Sequence, residues 1–142
     1  MKSVHVRKSD LATTLKVLPT QGKNLLEPFK SFALKNRLPF SILEDTHVSN
    51  DAEVHLGEGD LWFCLEGEAT FVCGGSLVDG VHRLNADGTL NKNELYAKEI
   101  AGGREFRIRV GDWLWIPAGE PHQHSALGTA RLCIIKVPKV GN

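Results

Sequence analysis

The sequence predicts an all-β domain, a sandwich or a barrel, and three observations predict it. Short runs of alternating or continuous apolar residues recur at close spacing, as in Ala69-Thr70-Phe71-Val72-Cys73 and Phe106-Arg107-Ile108-Arg109-Val110. Turn signals punctuate them: Ser49-Asn50-Asp51, Gly74-Gly75, Asp79-Gly80 and Asp87-Gly88. No segment sustains the 3.6-residue apolar period of a long helix, and no internal repeat or low-complexity tract is present. The 142 residues, 42% hydrophobic and 24% charged, suit one soluble domain able to bury a core unaided. We divide the chain into an extension, residues 1–39, packing on a barrel, residues 40–142.

Taken in order, residues 1–20 read as an edge element in which Val4 and Val6 alternate with polar neighbours. Asp10 is placed to cap a short helical turn through Leu11–Val17, weakened by two threonines and closed by Pro19. Residues 21–29 read as irregular because of Pro28. After Pro39, Phe40–Val48 reads as a strand. Strands follow over residues 53–56, 60–65 and 69–73, with Leu77-Val78 extending the last. Residues 79–103 are polar and rich in Asn and Gly. They read as a long hairpin or excursion with a helical piece at Asn93–Ala97, a candidate lid or oligomer contact. Strands at 106–110, 113–116 and 131–137 complete the chain.

Seventeen basic residues balance seventeen acidic ones, so no basic excess exists to hold nucleic acid or an anionic membrane. The absence of a signal-like or membrane-spanning apolar run points to a cytoplasmic protein. Cys64, Cys73 and Cys133 are odd in number and widely spaced, which reads as reduced thiols. The expected partners are a small-molecule ligand or substrate and a second copy of the chain. Exposed barrel edges pair, and the N-terminal segment is a natural exchanged strand, which makes a homodimer.

Chemistry concentrates in Glu53-Val54-His55-Leu56-Gly57-Glu58-Gly59-Asp60. On a strand Glu53 and His55 share a face, because side chains alternate. Gly57 and Gly59 permit a reversal, and the chain returns with Asp60, Trp62 and Cys64 on one face. If the two strands pair in the right register, one nitrogen and two carboxylates converge, a set suited to Fe²⁺, Mn²⁺, Zn²⁺ or Ni²⁺. The second polar stretch runs from Gly111 to His124. Pro117 and Gly119 set a turn, and His122 and His124 then lie on one face of the outgoing strand.

With both stretches in view, the chain resembles a cupin. Gly111, Pro117, Gly119 and His122 fall at the spacing of the second cupin motif, with Ala126 where that motif has Asn. His55, Asp60 and Gly67 match the first motif, with Asp60 in place of Glu and Glu53 in the first-histidine position. The resemblance implies a jelly-roll β-barrel with both motifs at the mouth of one cavity. It implies one divalent metal ion held by Glu53, His55, Asp60 and His122. Trp62, Cys64 and His124 are the candidate substrate-binding residues, Trp62 as a cavity wall, and Glu53 is alternatively a catalytic base. Trp113 and Trp115 read as barrel core; His5, His47 and His82 read as surface or edge residues. The expected function is a small metalloenzyme of dioxygenase, isomerase or cyclase type, acting on a small organic substrate that is aromatic or enolisable. The alternative is a binding or sensing module that performs no chemistry.

Overall fold

The computed structural model describes residues 1–141. The chain runs α1 (Lys8–Thr14), β1 (Gly22–Leu25), α2 (Phe29–Asn36), β2 (Phe40–Ser49), β3 (Ala52–His55), β4 (Glu58–Glu66) and β5 (Glu68–Cys73). It continues through β6 (Ser76–Leu77), β7 (Val81–Leu84), β8 (Leu90–Ala97), β9 (Ile100–Ala101), β10 (Arg104–Arg109), β11 (Trp113–Ile116) and β12 (His122–Pro138). The described strands pair antiparallel throughout, and the fold is an all-β jelly roll.

The long strand β12 organises the barrel. Its first residues pair with β5 and, through His122 and Glu53, touch β3. After a register shift between Ala126 and Thr129 its second half runs between β2 and β4. Such a bulge bends a strand, which is how one segment serves both walls. Beyond these, β1 lengthens the sheet on the β2 side, β11 pairs with β4, and β7 and β8 add to β3.

Alternation decides which face each side chain takes. Trp62 and Cys64 of β4, Leu43 of β2, and Leu132 and Ile134 of β12 pack inward with Phe71, Ile108, Leu114 and Ile116. The opposite face of β2 is buried as well. Ile42 packs there against Leu26, Phe29 and Ala33, so the N-terminal segment covers the outside of that wall. Gly67 closes the turn between β4 and β5 at φ 69°, where a Cβ would stand 1.9 Å from the carbonyl oxygen of Thr129. Only glycine fits that approach.

Several sequence expectations give way. Residues 1–7 form no strand, and α1 begins at Lys8 rather than after Asp10. Asp10 lies three residues inside, where its Oδ2 accepts the Arg7 backbone N–H at 2.7 Å. Strand β1 and helix α2 occupy stretches read as irregular or left unassigned. An eight-residue helix has little stability alone; α2 forms because Phe29 and Ala33 bury against Leu26 and Ile42. Asn93–Ala97 is strand, not helix, because β8 is held between β3 and β7. Trp113 and Trp115 are 59% and 51% exposed, since Leu114 and Ile116 take the inward positions of β11. No helix among the described residues is long and apolar enough to cross a membrane.

Candidate metal centre

Glu53 and His55 come from β3, Asp60 from β4 and His122 from the start of β12. The pairing imagined between the strands of Glu53 and Asp60 does not occur. Strand β3 pairs with β8 and β12, and β4 pairs with β11 and β12. The four side chains meet across the barrel instead. Two backbone contacts hold the motifs together: His122 sits opposite Glu53 in register, and the Gly119 N–H donates to the His55 carbonyl at 2.8 Å. Gly119 makes that turn at φ 89°, a region other residues rarely adopt.

The ligand-type atoms of Glu53, His55 and His122 all lie within 4.8 Å of one another. Glu53 Oε1 is 3.8 Å from His55 Nε2 and 3.8 Å from His122 Nε2. Asp60 Oδ2 stands 3.6 Å from His55 Nε2 and 3.5 Å from His122 Nε2. A tetrahedral shell with bonds of ~2.1 Å has edges of ~3.4 Å, so these separations fit one small divalent ion. His122 Nδ1 lies 3.1 Å from the Glu120 carbonyl. That contact places the proton on Nδ1 and leaves the Nε2 lone pair facing the cluster. Nε2 of His122 and Oδ2 of Asp60 are buried with no hydrogen-bond partner among the described residues. Two orphaned acceptors 3.5 Å apart are costly unless a cation joins them.

The surroundings tune these groups. Burial works to raise the Glu53 carboxyl, but Lys23 and the imidazoles of His55, His122 and His124 outweigh it and hold the group down at about 2. Arg83 Nη2 donates to Glu53 Oε2 at 3.3 Å and its Nε lies 3.8 Å from Glu94 Oε2. Glu94 Oε1 stands 3.6 Å behind His55 Nδ1. Burial lowers the His122 imidazole below its ordinary value, against the pull of the Glu120 carbonyl, Asp60 and Glu53, and so favours the neutral ligand form. Lys136 Nζ donates to Asp60 Oδ1 at 2.8 Å and approaches His55 Nε2 at 3.5 Å.

A cavity of about 780 Å³ opens from this cluster towards α2, within the range of small-molecule sites. Trp62 lines it together with Glu53, His55, Asp60 and Lys136. Two candidate substrate contacts lie elsewhere. Cys64 is fully buried in the core, its Sγ against the carbonyls of Glu66 and Gly67, and burial pushes its thiol up. His124 is buried between Trp62 and Phe71, its Nδ1 paired with Asp45 Oδ2. It is not part of the cavity lining.

Sequence reasoning missed Lys136, Arg83 and Glu94. A signal existed for Lys136, which shares the inward face of Leu132 and Ile134; a lysine in an apolar alternation is out of place unless it has an acidic partner. Arg83 and Glu94 fell in the stretch read as an excursion, where nothing marked β7 and β8 as neighbours of β3.

No family model matches the chain, and no curated protein matches it. Solved structures do. A predicted oxalate decarboxylase from Thermotoga maritima aligns with TM-score 0.50 at 16% identity, covering 82% of this chain and 79% of that one. Peruvianin-I, a cysteine peptidase from Thevetia peruviana latex, aligns with TM-score 0.47 at 15% identity over 72% of this chain. The EutQ protein of Clostridium difficile aligns with TM-score 0.43 at 15% identity over 70% of this chain. The chain spans only 52% and 50% of the lengths of the latter two. At these identities the likeness concerns the fold, and that fold is the cupin jelly roll.

Proposed function

We propose that this cupin-fold chain is a small metalloenzyme that holds one divalent ion on Glu53, His55 and His122, with Asp60 as a fourth ligand, and acts on a small organic substrate. The observation that supports it most is the pair of buried, partnerless acceptors, His122 Nε2 and Asp60 Oδ2, turned towards each other beside Glu53 and His55. The donor set of two imidazoles and two carboxylates suits Fe²⁺, Mn²⁺, Zn²⁺ or Ni²⁺. Such an ion, when bound, supplies a Lewis acid beside the cavity.

The chain's own residues do the rest. Glu53 Oε1 stands 3.8 Å from Nε2 of His55 and of His122, a placement that suits a ligand rather than a general base. Lys23 keeps Glu53 ionised, and Arg83 holds it in place. Trp62 and the apolar wall give the side of the cluster that faces the cavity a surface for an organic body. These features fit an aromatic or enolisable substrate and a dioxygenase, isomerase or cyclase reaction.

Lys136 favours a second reading. Its ammonium already stands among Asp60, His55 and Glu58, so it can serve as the internal cation of a non-catalytic ligand-binding module. Elemental analysis of protein purified without added metal, or reloaded after chelation, separates the two. One ion per chain, lost in His55→Ala and His122→Ala, supports the metalloenzyme. A folded protein that refuses every divalent ion rejects it and leaves the binding module.

A further inference from the structure

The cavity carries more buried polar atoms than an ion requires. Ser41 Oγ and Trp62 Nε1 have no hydrogen-bond partner among the described residues, and both residues line the same space as the metal cluster. Register sets them abreast, for Ile134 of β12 pairs with Ser41 of β2 on one side and Trp62 of β4 on the other. One pleat along, Lys136 pairs with Asp60. That step is ~6.6 Å, a distance a small molecule spans. An indole N–H only donates, so Trp62 cannot ligate a metal through it. A buried donor without an acceptor is costly in a native protein, and ligand recognition is one reason for it to persist.

The outer part of the cavity has a different character. Leu25, Leu34, Leu38 and Phe40 give it apolar walls, and Lys30 and Arg37 belong to its lining around α2. The other two basic residues of the lining are engaged: Lys23 lies 3.7 Å from Glu53, and Lys136 lies 2.8 Å from Asp60. Lys30 and Arg37 have no ion-pair partner among the described residues. The positions therefore follow an order: free positive charge and apolar walls on the α2 side, then the Lys136 ammonium beside the metal cluster, then two neutral donors towards the core.

Resting on the reading of this cavity as the substrate site, we propose that it takes an organic monocarboxylate with an apolar body, bound head inward. The carboxylate oxygens accept hydrogen bonds from Ser41 Oγ, Trp62 Nε1 and the Lys136 ammonium. The apolar body lies against Leu25, Leu34, Leu38 and Phe40, and Lys30 and Arg37 draw the anion in. An ammonium has three protons, so Lys136 serves the ligand while keeping Asp60.

The test compares 4-phenylbutanoate with its neutral counterpart 4-phenylbutan-1-ol by titration calorimetry, on protein with metal removed and with metal restored. Metal content is measured on the same samples. The carboxylate should bind about tenfold tighter than the alcohol or better, as expected for charge-assisted hydrogen bonds. Ser41→Ala should weaken the carboxylate several-fold and leave the alcohol nearly unchanged; Trp62→Phe, checked for folding by circular dichroism, should do the same. Lys30→Gln combined with Arg37→Gln should flatten the salt dependence of carboxylate binding. Equal affinity for acid and alcohol, no binding of either, or a Ser41→Ala variant that binds the carboxylate unchanged overturns the proposal. The two readings fail separately. A carboxylate preference in protein that takes no metal rejects only the metalloenzyme. Stoichiometric metal without the preference rejects only the carboxylate site.

Discussion

Two of the charged clusters buried in this barrel are finished differently. On the outer face of β2 and β12, Arg131 and Glu44 are 3% and 0% exposed and fully partnered. Arg131 Nε donates to Glu44 Oε2 at 2.8 Å, and its two terminal nitrogens donate to the carbonyls of Leu15 and Val17. The Thr20 N–H donates to Glu44 Oε1 at 2.9 Å. That cluster clips the N-terminal segment to the wall and has nothing left to offer. On the inner face, the cluster around His122 keeps partnerless atoms on His55, Asp60 and His122. A satisfied buried network holds a fold together, whereas an unsatisfied one keeps bonding capacity for something that arrives later.

The contrast breaks first, and hardest, at Arg131. Arg131→Met leaves Glu44 buried without its cation and should cost about 3–5 kcal/mol in urea unfolding. The double variant Arg131→Met with Glu44→Leu should recover much of that loss. Full stability in the single variant would mean that the outer cluster holds nothing. Metal binding should survive in either variant that folds.

The inner cluster should answer to metal instead. With an ion at a thousandfold its Kd, the wild-type protein should gain about 4 kcal/mol, read as a rise in Tm. His122→Ala should abolish that rise while the metal-free protein stays folded. A metal-dependent shift that persists in the variant would place the ion elsewhere.

Acid should take the metal-free protein apart in two windows. His122 has its pKa lowered in the fold, so the unfolded chain binds that proton more readily. Stability is intact above about 6.5 and falls as pH drops below it. Glu53 is lowered from 4.5 to about 2, so its contribution, about 3 kcal/mol at most, holds above 4.5 and is lost as pH falls towards 2. Urea midpoints across pH 2–8 should show both steps. His122→Ala should flatten the upper one and Glu53→Gln the lower.

The smallest effect marks where the site ends. Cys64→Ala should cost about 1 kcal/mol and leave metal binding unchanged, because that thiol sits in the core. Altered metal affinity would extend the site to the core side of Trp62.

Much of the architecture could be read from residues. Strands such as β5, β10 and β11 carry their own period, and Gly67, Pro117 and Gly119 mark the turns at fixed offsets. The pairing of partners could not be read so directly. Glu53, His55, Asp60 and His122 were identifiable as a set, yet the neighbouring strands expected to bring three of them together lie apart. Lys136 was visible as an anomaly on an apolar face, without anything to say what it meets. Helix α2 and strand β8 carried no signal of their own.

Side-chain alternation and turn geometry are local properties of the chain, so the sequence by itself determined the β class and the turns, and it singled out the four side chains that meet at the candidate site. What lies opposite what is set by the bend in β12 and by the packing of the N-terminal segment across the outer wall. Those are contacts between residues far apart along the chain, whose energies appear only once the barrel closes. The tertiary structure alone therefore decided that the imidazoles share a point with Asp60, that a lysine stands beside them, and that the cavity runs out under α2.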